Sequence, residues 1–171
     1  KNTRVICQGM TGKTGAFHTR QALEYGTKVV AGVTPGKQGQ KVEGLEKIPV
    51  FDTVEQAVKS HGSPIDGSIV TVPPGFTKDA VIEAIANGIK LLVIVTERIP
   101  RGDVAEMVEF ADMHDARIIG PNCLGLIVPE VCKMGGIGGP AKDAAKSYMP
   151  GVVGVFFFND TATTEISSSL T

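Results

Sequence analysis

The chain has 171 residues, which is enough for one well-packed domain or for a domain and part of another. Its net charge of −1 and its lack of tryptophan give no support to a surface that binds nucleic acid or an anionic membrane. The longest apolar stretch, residues 91–95, is far too short to cross a bilayer, so no membrane span is predicted.

Strand and helix patterns alternate along the first 120 residues. Strands are predicted at residues 4–8, 28–34, 49–52, 68–72, 90–96 and 117–120. Helices are predicted at residues 16–25, 53–61, 78–87 and 103–114, and a capping box at Thr53 opens the second of them. Continuous apolar runs are typical of strands covered on both faces. The sequence therefore predicts an α/β fold with a doubly wound, mostly parallel, Rossmann-like sheet.

From residue 121 this alternation is lost, because the chain becomes rich in glycine and proline without clear periodicity. A strand pattern restarts at residues 151–155, and the chain ends where the next helix is expected. We therefore expect a Rossmann-like domain at 1–120, a Gly/Pro-rich connection at 121–150, and the truncated start of a second α/β domain at 151–171.

The first strand runs into a glycine-rich turn, Gly9-Met10-Thr11-Gly12-Lys13-Thr14-Gly15, that opens a helix. Such a turn offers unpaired N–H groups and the positive end of the helix dipole to a phosphate. The spacing is one residue longer than the dinucleotide fingerprint, and no carboxylate follows the second strand, which disfavours NAD. Cys7 stands where a P-loop needs its first glycine. Glycines that serve only helix–sheet packing are the alternative interpretation.

A second basic loop, Pro35-Gly36-Lys37, follows the second strand. It therefore leaves the same carboxyl edge of the sheet, where ligands of this architecture bind. Lys13 and Lys37 are both placed to approach a polyphosphate, and the alternative for Lys37 is a solvated side chain in a flexible loop.

Taken together, these motifs identify a family. Residues 1–9 with Thr11-Gly12-Lys13 resemble the start of the α subunit of succinyl-CoA synthetase. Three further motifs follow in the order that the family uses: Thr34-Pro35-Gly36-Lys37, Val95-Thr96-Glu97 and Ile119-Gly120-Pro121-Asn122-Cys123. The resemblance extends to about residue 155 and implies a CoA-binding domain of the doubly wound type.

The resemblance also implies which residues contact coenzyme A. They are Thr11, Gly12, Lys13, Thr14, Lys37, Val95, Thr96 and Glu97. The first four would hold a CoA phosphate through the glycine turn, Lys37 would contact the nucleotide end, and the last three would line the groove after the fifth strand. For Glu97 an exposed, solvated carboxylate is the alternative.

In this family a carboxylate, CoA and a nucleoside triphosphate give acyl-CoA, a nucleoside diphosphate and phosphate through an acyl phosphate and a phosphohistidine. The resemblance implies the CoA-binding portion of the α subunit of an ADP- or GDP-forming ligase of the tricarboxylic acid cycle, with succinate as the carboxylate. Mg²⁺ and ATP or GTP are expected only on a β subunit, in a heterodimer or heterotetramer.

The phosphohistidine of the family belongs to a domain beyond this sequence, so we expect no catalytic residue and no turnover in this chain alone. His18, His61 and His114 lie outside that motif and are predicted to be surface or helix-end residues. Residues 156–162 replace the family's Ser-Arg-Ser-Gly loop with Phe-Phe-Phe-Asn-Asp-Thr-Ala, so no phosphate site is predicted there.

Other functions remain open at this stage. Leu124 stands where the succinate enzymes commonly have proline, which leaves the α subunit of a malate- or citrate-type CoA ligase as an alternative. A non-catalytic sensor module that binds CoA or a nucleotide is another, and a dehydrogenase is a distant third.

The three cysteines lack the paired spacing of a zinc site, so no metal is predicted, and Cys7 is expected to be a buried apolar residue. They favour a reducing compartment. We expect the cytoplasm, or the mitochondrial matrix in a eukaryote, with any targeting peptide lying before Lys1.

Overall fold

In the computed structural model, which describes residues 3–152 and 154, six strands form a parallel sheet in the order β3-β2-β1-β4-β5-β6. The strands are β1 (Arg4–Gln8), β2 (Lys28–Val33), β3 (Val50–Phe51), β4 (Gly67–Val70), β5 (Leu91–Ile94) and β6 (Arg117–Ile119). Every neighbouring pair in this sheet is parallel. The predicted Rossmann-like architecture is confirmed, with each strand close to its predicted position.

Four helices connect the strands: α1 (Lys13–Tyr25), α2 (Val54–His61), α3 (Pro74–Ala86) and α4 (Arg101–Met113). α3 begins four residues before its predicted start, because Pro74 occupies the first helical position, where its missing N–H costs nothing. α2 begins as predicted, since the Thr53 side chain accepts from the Gln56 N–H and the Gln56 side chain accepts from the Thr53 N–H.

Successive residues of the strands point to opposite faces of the sheet and build two apolar layers. On one face Ile6, Val70 and Leu92 pack against helices α2, α3 and α4. On the other face Val5 and Cys7 pack with residues that include those of α1. The sheet is therefore doubly wound, and Cys7 is buried as predicted.

The predicted Gly/Pro-rich connection contains regular structure that the sequence did not indicate. An antiparallel hairpin of β7 (Gly125–Val128) and β8 (Cys132–Gly135) is followed by helix α5 (Ala141–Ser147). The hairpin covers the sheet beside α1, since Met134 belongs to the same apolar layer as Val5. α5 is tied to α1 by the Ala141 N–H, which donates to the Gln21 side-chain oxygen at 2.6 Å.

The proposed division into domains stays a prediction. Most of the second α/β domain expected at 151–171, including the three phenylalanines, lies outside the described residues. Across residues 3–152, no helix combines the length and the hydropathy that a membrane span requires.

Candidate functional site

The strand order places a crevice between the carboxyl ends of β1 and β4. The chain leaves β1 toward β2 on one side and leaves β4 toward β5 on the other, so the two loops diverge there. In open α/β sheets this topological switch point is where ligands bind. Both the glycine turn after β1 and the segment after β4 reach this crevice, and the Thr71 N–H and hydroxyl donate to the Gln8 carbonyl at 3.0 and 2.8 Å.

The glycine turn presents the N-terminus of α1 at this crevice. Gly9 has a φ of +86° and donates its N–H to the Val33 carbonyl at 2.8 Å, which ties the turn to β2. Gly12 is the N-cap of α1, and none of the described side chains caps this end. The N–H groups of the first helical turn therefore remain free to meet an anion.

The three glycines of the turn differ in what the fold demands of them. A Cβ on Gly15 would lie 2.7 Å from the Gly9 carbonyl carbon, and one on Gly9 would lie 2.9 Å from Thr71 Oγ1. Packing therefore explains these two. Gly12 is exposed with a φ of −78°, and a Cβ there would meet only the Gly9 carbonyl oxygen at 3.4 Å. Packing therefore does not require a glycine at position 12.

Met10 is one of the two residues between the first two glycines, where the dinucleotide fingerprint has one, and its side chain is fully buried. It lies over Gly32 of β2, where a Cβ would come within 2.7 Å of the Met10 sulfur. The longer turn therefore places the Met10 side chain in a space that Gly32 of β2 leaves open. The sequence alone did not indicate this role for Met10.

The second loop turns back immediately after β2. The Lys37 N–H donates to the Thr34 carbonyl at 3.1 Å, with proline and then a positive-φ glycine between them, as in a type II turn. Oδ1 of Asp52 accepts from the Lys37 and Gln38 N–H groups at 2.9 and 3.0 Å. Lys13 and Lys37 both have exposed side chains at the carboxyl edge. Asp52 was not predicted as a site residue from the sequence, although it follows β3 directly at this edge.

The residues after β5 close the other side of the edge. The Thr96 hydroxyl donates to the Val72 carbonyl at 2.7 Å, and the Thr96 carbonyl accepts from the Asn122 N–H at 2.9 Å. The hydroxyl is therefore engaged in joining the loops after β4 and β5. The Glu97 side chain is 60% exposed, with Oε1 3.6 Å from Arg98 Nε, which also fits the solvated alternative.

Three loops with predicted binding residues thus share one edge, after β2, β1 and β5. Strands in a sheet lie about 4.8 Å apart, so the three steps from β2 to β5 span about 14 Å. An elongated ligand with a phosphate-bearing end fits this span.

His18 corrects one prediction. It was expected to be a surface or helix-end residue, yet it is only 8% exposed, because α1 turns this position toward β8. The His18 ring packs against Gly136, just after β8, so closely that a Cβ on this glycine would lie 3.1 Å from it. Burial, and then the charge of Lys133, lower the pKa of His18. His61 ends α2 with an exposed side chain, and His114 follows α4, as predicted.

The thiols of Cys7 and Cys123 lie in surroundings that disfavour the thiolate. Burial raises the pKa of Cys7 to about 11 and also raises the pKa of Cys123, whose thiol donates to the Ile94 carbonyl at 3.2 Å. Over the described part of the chain, no three His, Cys, Asp or Glu side chains are placed to hold a metal ion.

Comparison with known proteins adds independent findings. Residues 1–98 match the family model described as CoA binding domain. The chain is 43% identical over 173 aligned residues to the α subunit of the ADP-forming succinate–CoA ligase of Aquifex aeolicus, covering 100% of this chain and 53% of that protein. The corresponding subunit of Staphylococcus aureus (strain Mu50) is 45% identical over 135 residues, which is 79% of this chain and 43% of that protein.

A solved structure supports the fold. The ATP citrate lyase of Methanothrix soehngenii, in complex with citrate and coenzyme A, superposes with a TM-score of 0.73 at 19% identity, over 88% of this chain and 26% of that one. The chain spans about half the length of the curated relatives that it matches.

Proposed function

This chain belongs to the CoA-binding domain family, and from that premise we propose that it binds coenzyme A along the carboxyl edge of its sheet. The observation that carries the proposal is the uncapped N-terminus of α1 behind Gly12, a glycine that the fold itself does not require. Two exposed lysines on neighbouring loops supply positive charge for a ligand with several phosphates.

We assign contacts within this site loop by loop. Thr11, Gly12, Lys13 and Thr14 hold a phosphate through the N–H groups at the start of α1. Lys37 contacts the nucleotide end of the ligand, from the loop after β2. Val95, Thr96 and Glu97 line the groove after β5, and the Thr96 contribution comes from its backbone because the hydroxyl is engaged with Val72.

We further propose that the chain is the CoA-binding portion of the α subunit of an ADP- or GDP-forming carboxylate–CoA ligase that acts on succinate. The identity of 43–45% to two succinate–CoA ligase α subunits supports this. The partner is a β subunit that binds Mg²⁺ and the nucleotide. The compartment is the cytoplasm, or the mitochondrial matrix in a eukaryote. The 171-residue chain alone is expected to show no ligase turnover in an assay with succinate, CoA and ATP or GTP.

Calorimetric titration with CoA tests the binding site directly. We expect the chain to bind CoA, and Lys13→Glu and Lys37→Glu each to weaken binding at least about tenfold, because each replaces an attraction to phosphate with a repulsion. Lys47→Glu makes the same charge change in an exposed residue that precedes β3, away from the carboxyl edge, and is expected to leave affinity within about twofold. Unchanged affinity in both site variants would contradict the assignment.

A further inference from the structure

The loop that carries Lys37 is anchored to β3 through the carboxylate of Asp52. Oδ1 of Asp52 accepts from the Lys37 N–H at 2.9 Å and from the Gln38 N–H at 3.0 Å. Residues 35–41 are all exposed, so little packing restrains them. Two other backbone bonds are local to the loop, from Lys37 to the Thr34 carbonyl and from Gln40 to the Lys37 carbonyl, and the Gly39 N–H donates to the Val50 carbonyl of β3 at 2.9 Å. Asp52 therefore fixes the backbone at the lysine itself.

Asp52 is in turn held by rigid elements on both sides. It follows β3 directly, and its own N–H donates to Gln56 Oε1 at 3.1 Å. The same oxygen accepts from the Thr53 N–H at 3.3 Å, as part of the capping box of α2. The hydrogen bonds thus run from the N-terminus of α2, through Asp52, to the backbone of Lys37.

The negative charge of Asp52 has no favourable role toward a polyphosphate. A carboxylate beside a lysine that meets phosphate repels the ligand. Its two charge-assisted bonds to backbone N–H groups explain why the residue suits this place. The contacts that Oδ1 of Asp52 makes are to the backbone of the Lys37 loop, which identifies it as a residue that holds the loop.

We propose that Asp52 is a positioning residue for coenzyme A binding, which fixes the Lys37 backbone in the conformation that the ligand meets. This inference rests on the proposed function. Without the Asp52 acceptor the exposed loop samples more conformations, and the entropy lost in ordering it then counts against binding.

The test combines binding with a double-mutant cycle. CoA affinity is measured by calorimetry for the wild type, Asp52→Ala, Asp52→Asn, Lys37→Met and the double variant Asp52→Ala/Lys37→Met. We expect Asp52→Ala to weaken binding about three- to tenfold in the wild-type background and less than about twofold in the Lys37→Met background. Asp52→Asn keeps an acceptor oxygen and removes the charge, so it is expected to bind CoA at least as tightly as the wild type.

Amide hydrogen exchange supplies a readout that does not depend on the ligand. Asp52→Ala is expected to accelerate exchange at Lys37 and Gln38, with amides of β1 and β4 unchanged. Asp112→Ala, which removes an exposed carboxylate near the end of α4, is the matched control and should alter neither readout.

The outcomes distinguish the proposed binding of CoA from the positioning role of Asp52. No CoA binding by the wild type would overturn the proposed function and, with it, this inference. Binding by the wild type with an equal effect of Asp52→Ala in both backgrounds, or with Asp52→Asn as weak as Asp52→Ala, would overturn the positioning role alone.

Discussion

Gly12 and Gly15 stand three residues apart in the same turn, yet a methyl group has different consequences at the two positions. At Gly15 it overlaps the Gly9 carbonyl group and lies 2.8 Å from Thr71 Oγ1, where α1 crosses the end of β1. At Gly12 it has room, because the residue is exposed and its φ of −78° suits any side chain. One glycine therefore serves the fold, and the other is available to serve a ligand.

Alanine substitutions separate these two roles. We expect Gly15→Ala to lower the free energy of unfolding by at least about 1–3 kcal/mol. The added methyl group overlaps the Gly9 carbonyl group, so either the helix or the turn must shift. Gly12→Ala is expected to lower the free energy of unfolding by less than about 1 kcal/mol, the cost of alanine at an N-cap, while weakening CoA binding at least about tenfold. Urea denaturation and calorimetry measure the two effects. Normal CoA affinity in a folded Gly12→Ala variant would show that the ligand does not approach this backbone.

His18 is a buried base in a setting that disfavours its charged form. Its Nδ1 has no hydrogen-bond partner among the described residues, and the positively charged Lys133 lies close by. Burial is the larger cause of its lowered pKa, and Lys133 is the second. The neutral ring packs between α1 and the hairpin, so protonation acts against that packing.

The consequence is a loss of stability toward acid. Because the pKa is lowered in the folded state, the unfolded chain binds the proton more tightly. The contribution of His18 is therefore present above its ordinary pKa of 6.5 and is lost as the pH falls below that value. One proton limits this loss to about 1.4 kcal/mol per pH unit.

Urea denaturation at pH 7.5, 6.5 and 5.5 checks whether the free energy of unfolding falls toward acid as His18 predicts. We expect His18→Gln to flatten the decline of the unfolding free energy between pH 6.5 and 5.5, whereas the exposed His61→Gln variant should follow the wild type. An identical pH profile for the wild type and His18→Gln would contradict the prediction.

At the scale of elements, the buried Thr27 side chain ties the β7–β8 hairpin to the end of α1. A longer hydrogen bond from the Glu130 N–H to the Tyr25 hydroxyl, at 3.3 Å, lies beside it. The Thr27 hydroxyl donates to the Lys133 carbonyl and accepts from the Lys133 N–H, both at 2.8 Å, and both residues are buried. The Lys133 ammonium donates to the Gly139 carbonyl at 2.6 Å, which closes the segment that leads to α5. The hairpin thus depends on polar contacts made in an apolar layer.

Removing the Thr27 hydroxyl tests this dependence. Thr27→Val keeps the shape of the side chain and leaves two buried backbone groups without a partner, so we expect a loss of about 2–4 kcal/mol in the free energy of unfolding. Thr27→Ser keeps the hydroxyl and should lose less than about 1 kcal/mol. In Thr27→Val, the amides of β8 should exchange faster with solvent than in the wild type, whereas the exchange rates of the β1 and β4 amides should stay unchanged. Equal stability of the two variants would refute this role.

The elements that could be predicted from the sequence are those whose pattern is local. Apolar runs such as 91–94 and the capping box at Thr53 indicate their structure without reference to distant residues. The hairpin at 125–135 could not be predicted, because β8 buries Lys133 and its glycines break the apolar alternation. Its partner groups, Thr27 and Gly139, lie elsewhere in the chain.

The candidate site divides in the same way. The glycine turn and the Lys37 loop could be placed at one edge because the carboxyl ends of parallel strands always meet there. Met10 and Asp52 could not be assigned a role, since each depends on one tertiary partner: Gly32 for the first and the Lys37 N–H for the second. His18 was placed wrongly because the hairpin that buries it had not been predicted.

At the scale of the whole molecule, the strand order is one that many nucleotide-binding proteins share, so the order alone does not select the ligand. We propose that the loops at the carboxyl edge select it. The loop after β2 begins at Thr34 and carries Lys37, where an NAD site places a carboxylate for the ribose hydroxyls. The turn after β1 is one residue longer than the dinucleotide fingerprint, and Met10 within it is buried. Both features favour CoA over NAD.

The preference for CoA over NAD can be measured on the intact chain, because a ligand that binds the folded state raises its stability. A ligand that binds only the folded state at about 100 times its Kd adds about 2.7 kcal/mol to the free energy of unfolding. For a chain of this size that corresponds to a rise in Tm of about 5–10 °C, which differential scanning fluorimetry resolves. We expect CoA to produce this rise and NAD at the same concentration to change Tm by less than about 1 °C.

Two lysine variants test whether the CoA-induced rise in Tm comes from binding at the carboxyl edge of the sheet. In Lys37→Met the CoA-induced rise should shrink, because the lysine no longer meets the phosphates, whereas Lys47→Met should keep it in full. A rise with NAD that equals the rise with CoA would mean that the absent carboxylate and the longer turn do not exclude a dinucleotide. The chain would then have no preference for CoA over NAD, and the loops after β1 and β2 would not select the ligand.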